Sequence, residues 1–191
     1  QDVRVTGGDF SRAVEEGVRQ AYDDGCLRKS LCDPLTRMNT GDNTPAIMHI
    51  DIVPGNQIKI IALPKGGGSE NMSRAVMLTP AAGMDGIRDF ILQTVEQAGA
   101  NPCPPVIVGV GIGGSLEAAC LLAKKALLRP VGRKNKKDRR LAEMEAKLLE
   151  DINDLGIGPA GMGGRVTALA VHTEMMPCHI ASLPVAVNLQ C

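Results

Sequence analysis

Asn101–Pro130 reads NPCPPVIVGVGIGGSLEAACLLAKKALLRP, and its order of residue types decides the fold class. A cysteine held between prolines leads into an apolar run that reads as a strand. The glycine turn GVGIGGS (Gly109–Ser115) follows, and then a helix with Ser115 at its N-cap and Pro130 at its end. A strand that feeds a helix through a tight turn is the repeating unit of α/β proteins.

The same alternation extends outward in both directions. Upstream, Asp9 is placed to cap a helix whose apolar face is Phe10, Val14, Val18 and Ala21, closed by Gly25. A loop broken by Pro34, Asn39, Gly41, Asn43 and Pro45 follows, carrying Arg28, Lys29, Arg37 and Asp42. Two β-rich runs in AIMHIDIVPGNQIKIIALP flank Pro54-Gly55-Asn56 and predict a hairpin, with His49 in mid-strand. The second run passes into PKGGGSENMS (Pro64–Ser73). A helix is expected from Gly83 to Gly99, with Ile87, Phe90, Ile91 and Val95 inward. Downstream, the basic run GRKNKKDRR reads as a solvated loop or helix start rather than an anion site. Leu141, Met144, Leu148, Leu149, Ile152 and Leu155 mark a long amphipathic helix stopped by Gly156. The chain closes with the glycine-rich GIGPAGMGG, a strand in RVTALAVHTE that ends near His172, and MMPCHIASLPVAVNLQC. The expected architecture is one α/β domain over residues 1–191, with mixed sheets and flanking helices.

Composition narrows the function classes. The 191 residues carry 21 basic and 21 acidic side chains, so no global field draws the chain to nucleic acid or to an anionic membrane. Aromatic residues are 2% of the chain, too few to build stacking platforms for single strands. No run approaches the roughly 18 apolar residues of a membrane span. The N-terminus lacks the basic flank and apolar stretch of a signal peptide, and the six cysteines lack the dense spacing of a secreted disulfide scaffold. A cytoplasmic location is expected. The chain starts without Met and stops on Cys191, as a piece of a longer protein would.

Several features carry candidate chemistry. GVGIGGS departs from the dinucleotide fingerprint, because Gly113 is followed at once by Gly114, and no ribose-binding acid is evident. PKGGGS is not a P-loop, since its lysine precedes the glycines. Triple glycine either lets a ligand or a strand approach bare backbone, with Ser69 and Asn71 as added donors, or serves a strained turn needing positive φ. Residue chemistry alone leaves both open. Cys103 is rigidified by Pro102, Pro104 and Pro105. Cys120 lies in an Ala/Leu-rich helix and is expected in the core. Cys26 and Cys32 read as loop thiols, and no C-x-x-C pair exists for a zinc ribbon or ferredoxin spacing. His49 and His172 read as structural. His179, after a Pro-Cys pair in a turn-rich segment, is placed as a catalytic acid/base would be.

Taken together, LRKS, NTGDNTPA, PKGGGSENMS, NPCPPVIVGVGIGG, GIGPAGMGG and PCHIASLPVAVNLQC resemble one family over nearly the whole chain. They are similar to the α-type catalytic region of class I fumarate hydratases and L(+)-tartrate dehydratases, the iron–sulfur hydro-lyases. The resemblance implies a [4Fe–4S] cluster held by three cysteines, with one iron open to substrate. Cys103 of NPCPP and Cys191 of NLQC correspond to two of those ligands. The third belongs to an upstream P-x-C-Q-D-T-G motif that this chain does not contain, and neither Cys32 nor Cys178 has a matching context. Arg28 corresponds to an arginine that pairs with a substrate carboxylate. Gly67, Gly68, Ser69 and Asn71 correspond to donors for the same dicarboxylate substrate, and His179 to a histidine near the hydroxyl. The resemblance further implies a β-type subunit or domain completing the site, in a homo-oligomer or α2β2 assembly. It implies a fragment, incomplete at both termini, that is inactive alone. The reaction expected is hydration of fumarate to (S)-malate, with L(+)-tartrate dehydration as the sibling. A non-catalytic dicarboxylate-binding scaffold is the alternative of another class.

Overall fold

The computed structural model describes every residue except 1, 2, 5 and 137. The opening Gln-Asp pair and Lys137 of the basic run therefore lie outside the described residues. The chain divides into two compact units, Gln1–Ile61 and Ala62–Cys191.

In the first unit, helix α1 spans Phe10–Asp24, with the Asp9 carboxylate accepting from the Arg12 N–H and Gly25 at the C-cap. Cap and period act here as expected, because both are local. The loop that follows is tied by side chains. Asn43 Oδ1 accepts from the Ser30 and Leu31 N–H groups, and Asn39 Nδ2 donates to the Lys29 carbonyl at 3.0 Å. Thus NTGDN pins LRKS. The Asp42 carboxyl lies well below the ordinary carboxylate range, chiefly because the Thr44 hydroxyl and N–H donate to it, with Arg19 adding a further bond. The expected hairpin does not form: no strand occurs between residues 46 and 63, and Ile47, Ile52 and Ile60 are exposed. Two short runs with no third strand to pair with are marginal as a hairpin in water. His49 accordingly is not a strand residue and is exposed.

The second unit is the α/β body expected. Helix α2 (Gly67–Glu70) precedes strand β1 (Arg74–Leu78), helix α3 (Gly83–Ala98), strand β2 (Val106–Ile112) and helix α4 (Leu116–Ala126). Helix α5 (Arg139–Asp154) and strands β3 (Ala168–Met175) and β4 (Leu183–Gln190) complete it. The sheet order is β1-β4-β2-β3. β4 is antiparallel to both β1 and β2, and β2 is parallel to β3, so the sheet is mixed.

Alternation along β2 assigns its two faces. Val106, Val108, Val110 and Ile112 join Val185, Val187 and Leu189 of β4 in the main core, with Ile87, Ile91 and Val95 of α3 and Leu148 and Ile152 of α5. Each such side chain contributes about 1.5–3 kcal/mol through burial. The opposite face carries Gly109 and Gly111, and it packs α4 through Ala119 and Ala123 beside Ala186. A Cβ on Gly111 would lie 2.0 Å from the Ala119 carbonyl oxygen, and one on Gly109 2.3 Å from that of Ala123. GVGI is therefore strand, not turn, and its glycines admit a helix instead of an anion. Only Gly113 and Gly114 turn the chain, both with positive φ. Cys120 is exposed, contrary to expectation. The buried stripe of α4 is Ala119, Ala123 and Ala126, and Cys120 lies one step around the helix from it.

The free edge of β3 is closed by charged groups. Arg129 Nη1 lies 2.8 Å from both Glu145 carboxylate oxygens, and its Nη2 donates to the Thr173 carbonyl at 2.9 Å. Glu145 in turn accepts from the Thr173 N–H at 2.7 Å. His172, 2% exposed in mid-strand, has its basicity lowered first by burial and then by the Arg129 charge.

Candidate functional site

Antiparallel pairing of β2 with β4 sets Ile107 opposite Gln190, so β2 begins where β4 ends. Cys103 lies just before β2 opens and Cys191 directly follows β4. Both thiols are free, exposed and at the same end of the sheet.

Helix α2 occupies that end between them. A Cβ on Gly66 would stand 3.4 Å from Cys191 Sγ, and one on Gly68 would lie 2.8 Å from the Asn101 carbonyl, in the loop that carries Cys103. Gly66 has φ −73° and none of the three glycines is left-handed. The strained-corner alternative is thereby excluded: bare backbone is needed at Gly68, where the Asn101 carbonyl approaches, while Gly66 and Gly67 leave room for a Cβ. GIGPAGMGG arrives at the same end, where the Ala160 N–H donates to the Pro104 carbonyl at 2.7 Å. Four of the strings singled out in sequence thus converge on one end of one sheet.

Charge pairs hold α2 in place. Lys65 Nζ donates to Ser69 Oγ at 3.0 Å and to the Leu189 carbonyl at 2.5 Å. Ser69, 1% exposed, donates its own hydroxyl to the Gly66 carbonyl and lies 3.9 Å from Cys191 Sγ. Glu70 receives Lys124 at 2.6 Å and Asn188 Nδ2 at 3.0 Å. Burial pushes the Glu70 carboxyl up, but Lys124, Asn188 and the Lys65 charge outweigh it and hold the group at about 2. Burial lowers the Lys65 ammonium, against the pull of Glu70. These partners went unassigned in sequence because Glu70 and Asn188 are 118 positions apart. A depressed carboxyl contributes stability that is complete above its ordinary value of 4.5 and is lost as pH falls towards about 2. Glu70→Gln is expected to cost ~1 kcal/mol at neutral pH, a figure discounted for the partial exposure of the carboxylate. The deficit should vanish towards pH 2 in urea titrations; an equal deficit at both ends would contradict the pairing.

Cys103 adopts φ +55°, a left-handed conformation, with its N–H donating to the Ala100 carbonyl at 3.0 Å. A non-glycine residue there costs roughly 1–2 kcal/mol. Cys103→Gly should therefore raise unfolding stability by ~1 kcal/mol while removing the thiol; a loss of stability would show that the side chain supports the loop.

Asn71 is exposed and follows α2, and the N–H groups of Gly67 and Gly68 lie in its first turn, without intrahelical acceptors. Arg28 is exposed in the first unit and, among the described residues, forms no ion pair. His179 is exposed in the turn between β3 and β4. Its Nδ1 accepts from the Ala181 N–H at 3.1 Å, which leaves Nε2 as the proton-bearing nitrogen facing out. It stands at the opposite end of β4 from Cys191 and is not gathered with the thiols. Cys178 beside it donates to the Ser182 carbonyl. Among the described residues, no group of three or more His, Cys, Asp and Glu is placed to hold a metal ion. Two accessible thiols at one sheet end, with open glycine backbone beside one of them, suit part of a thiolate-ligated cluster. No helix among the described residues is long and apolar enough to cross a membrane.

The profile of the fumarate hydratase (Fumerase) family matches residues 1–191. A protein of Methanocaldococcus jannaschii named putative L(+)-tartrate dehydratase subunit alpha is 49% identical over 183 residues, 93% of this chain and 64% of that protein. L(+)-tartrate dehydratase subunit alpha of Escherichia coli K12 is 35% identical over 188 residues, 96% of this chain and 62% of the relative. The Shigella sonnei protein of the same name matches to the same extent. The chain thus spans somewhat less than two thirds of the length of these relatives.

Proposed function

The chain belongs to the fumarate hydratase (Fumerase) family, and from that premise we propose that it is the α-type part of a [4Fe–4S] hydro-lyase acting on C4 dicarboxylates. The convergence of PKGGGS, NPCPP, GIGPAGMGG and NLQC at one end of the sheet carries this reading, since it unites both thiols with exposed glycine backbone.

In this reading Cys103 and Cys191 hold the cluster, together with a third thiolate supplied from outside residues 1–191. When bound, the cluster supplies a Lewis-acidic iron that makes hydroxide a feasible leaving group. The chain's own groups bind and orient. Gly67 and Gly68 offer N–H donors to a substrate carboxylate, and Asn71 a side-chain amide. Ser69, already donating to the Gly66 carbonyl, braces this turn beside Cys191. The guanidinium of Arg28, which forms no ion pair among the described residues, suits a bidentate grip on a carboxylate. His179 moves a proton at the substrate hydroxyl through Nε2. A β-type subunit completes the pocket in a homo-oligomeric or α2β2 enzyme.

Reversible hydration of fumarate to (S)-malate is the reaction proposed. L(+)-tartrate dehydration to oxaloacetate is the second reading, favoured by the names of the relatives. The full-length subunit, co-expressed with a β-type partner and reconstituted anaerobically with iron and sulfide, should turn over one of the two. A ratio of kcat/KM above ~100 for either identifies the substrate, because a site matched to a hydroxyl rejects its absence strongly. Turnover of neither substrate refutes the reading.

A further inference from the structure

We propose that His179 serves the thiol site of a second copy of this chain rather than that of its own. The proposal rests on the assignment of His179 to the hydro-lyase site, and it follows from two rulers within the same unit.

The first ruler is β4. His179 lies before its first residue, Leu183, and Cys191 follows its last, Gln190. Eight strand residues at about 3.3 Å each separate the two ends by roughly 25 Å. The second ruler is α3. The His179 turn lines a shallow groove with Pro80, Gly83, Met84 and Ile87, at the N-terminal end of α3. The other end of α3 leads directly to Asn101, whose carbonyl meets Gly68 beside the thiols. Sixteen helical residues at 1.5 Å each again give roughly 24 Å. The three residues between His179 and Leu183 do not fold back along the sheet. Ser182 N–H donates to the His179 carbonyl, which closes the turn locally, and the turn borders the same groove as the N-terminal end of α3. A proton relay needs hydrogen-bond reach or one bridging water, so His179 has no route to the thiols of its own chain.

The thiol site is carried by this chain, so the copy that receives His179 is another molecule of it and not a β-type subunit. The surface around His179 suits such contact. Ile180 is 91% exposed, and Met84, Met77, Met175 and Met176 are exposed around the same end of the sheet. An exposed apolar cluster beside a polar functional group is what a self-association surface presents. Met side chains adapt to irregular partners.

The test is complementation between two inactive chains of the full-length enzyme. One chain carries His179→Asn and the other Cys191→Ser, each with its own affinity tag, co-expressed with the β-type partner and reconstituted with iron and sulfide. Hybrids are isolated through both tags. His179→Asn alone should lose at least ~100-fold in turnover, the usual order for a missing acid/base group, and Cys191→Ser alone should lose turnover together with the cluster. His179→Asn should retain wild-type cluster absorption. The hybrid should then recover about half of the wild-type rate, because one of its two sites has both an intact ligand set and a histidine from across the interface. A hybrid as inactive as its parents, with the His179→Asn cluster intact, overturns the proposal and places the histidine in its own chain's site. Wild-type turnover by His179→Asn alone also overturns it, while leaving the hydro-lyase assignment standing. His179→Gln, assayed in parallel, separates loss of the proton carrier from a local folding defect.

Discussion

Gly111→Val is expected to abolish cooperative folding or to cost at least ~3 kcal/mol. A Cβ at this position lies 2.0 Å from the Ala119 carbonyl oxygen and 2.6 Å from the Ala123 nitrogen, both in the backbone of α4. No side-chain rotation relieves a clash with helix backbone. The helix has to lift from the sheet, exposing Ala119, Ala123 and Ala186. Overpacking of a closed interface costs about 1–3 kcal/mol even when neighbours yield, and here they are hydrogen-bonded. Gly17→Ala is the control. It sits in α1 with nothing within 4 Å of the added carbon, and it should stabilise by up to ~1 kcal/mol through helix propensity. Equilibrium urea unfolding distinguishes the two. A Gly111→Val protein within 1 kcal/mol of wild type would show that α4 is not seated on the glycine face.

Arg129→Met is expected to lose ~3–5 kcal/mol, the range for breaking a buried pair from one side. Its guanidinium is 14% exposed and Glu145 only 7%, so the carboxylate left behind is desolvated without a counter-charge. The same substitution removes one of two donors to the Thr173 carbonyl at the open edge of β3, leaving Asn135 Nδ2. The double replacement Arg129→Met, Glu145→Met should recover part of the loss, because two apolar groups leave no stranded charge. A single-variant loss below 1 kcal/mol would mean that solvent reaches and screens the pair.

Local signals carried much of the fold. Asp9 as a cap, the apolar run of β2 and the spacing of Ile87, Ile91 and Val95 act within a few residues of themselves, and the elements formed where they point. Signals that depend on distant partners were less legible. β4 contains Pro184 and the polar Asn188, and it is a strand because β1 and β2 flank it on both sides. The run from Ala46 to Leu63 has a β pattern but no flanking strand, and it forms no ladder. The glycines of GVGI looked like a turn because one sequence does not reveal which helix lies over a strand. Cys120 looked buried for the same reason, since the packed stripe of α4 is made of alanines. In the candidate site, the thiols and glycines were legible as strings. Their meeting at one sheet end was not, because it depends on the β2–β4 register. The Lys65–Glu70–Lys124–Asn188 network is likewise non-local and left no mark in spacing.

The central claim is that one end of the sheet is a cluster site built from Cys103 and Cys191. Anaerobic reconstitution of the full-length subunit with its β-type partner, followed by visible absorption and iron and sulfide content, tests it most directly. The wild-type protein should bind the cluster, and Cys120→Ser and Cys178→Ser should bind it equally well. Cys103→Ser and Cys191→Ser should each lose it. Full cluster content in either of the last two variants would contradict the account.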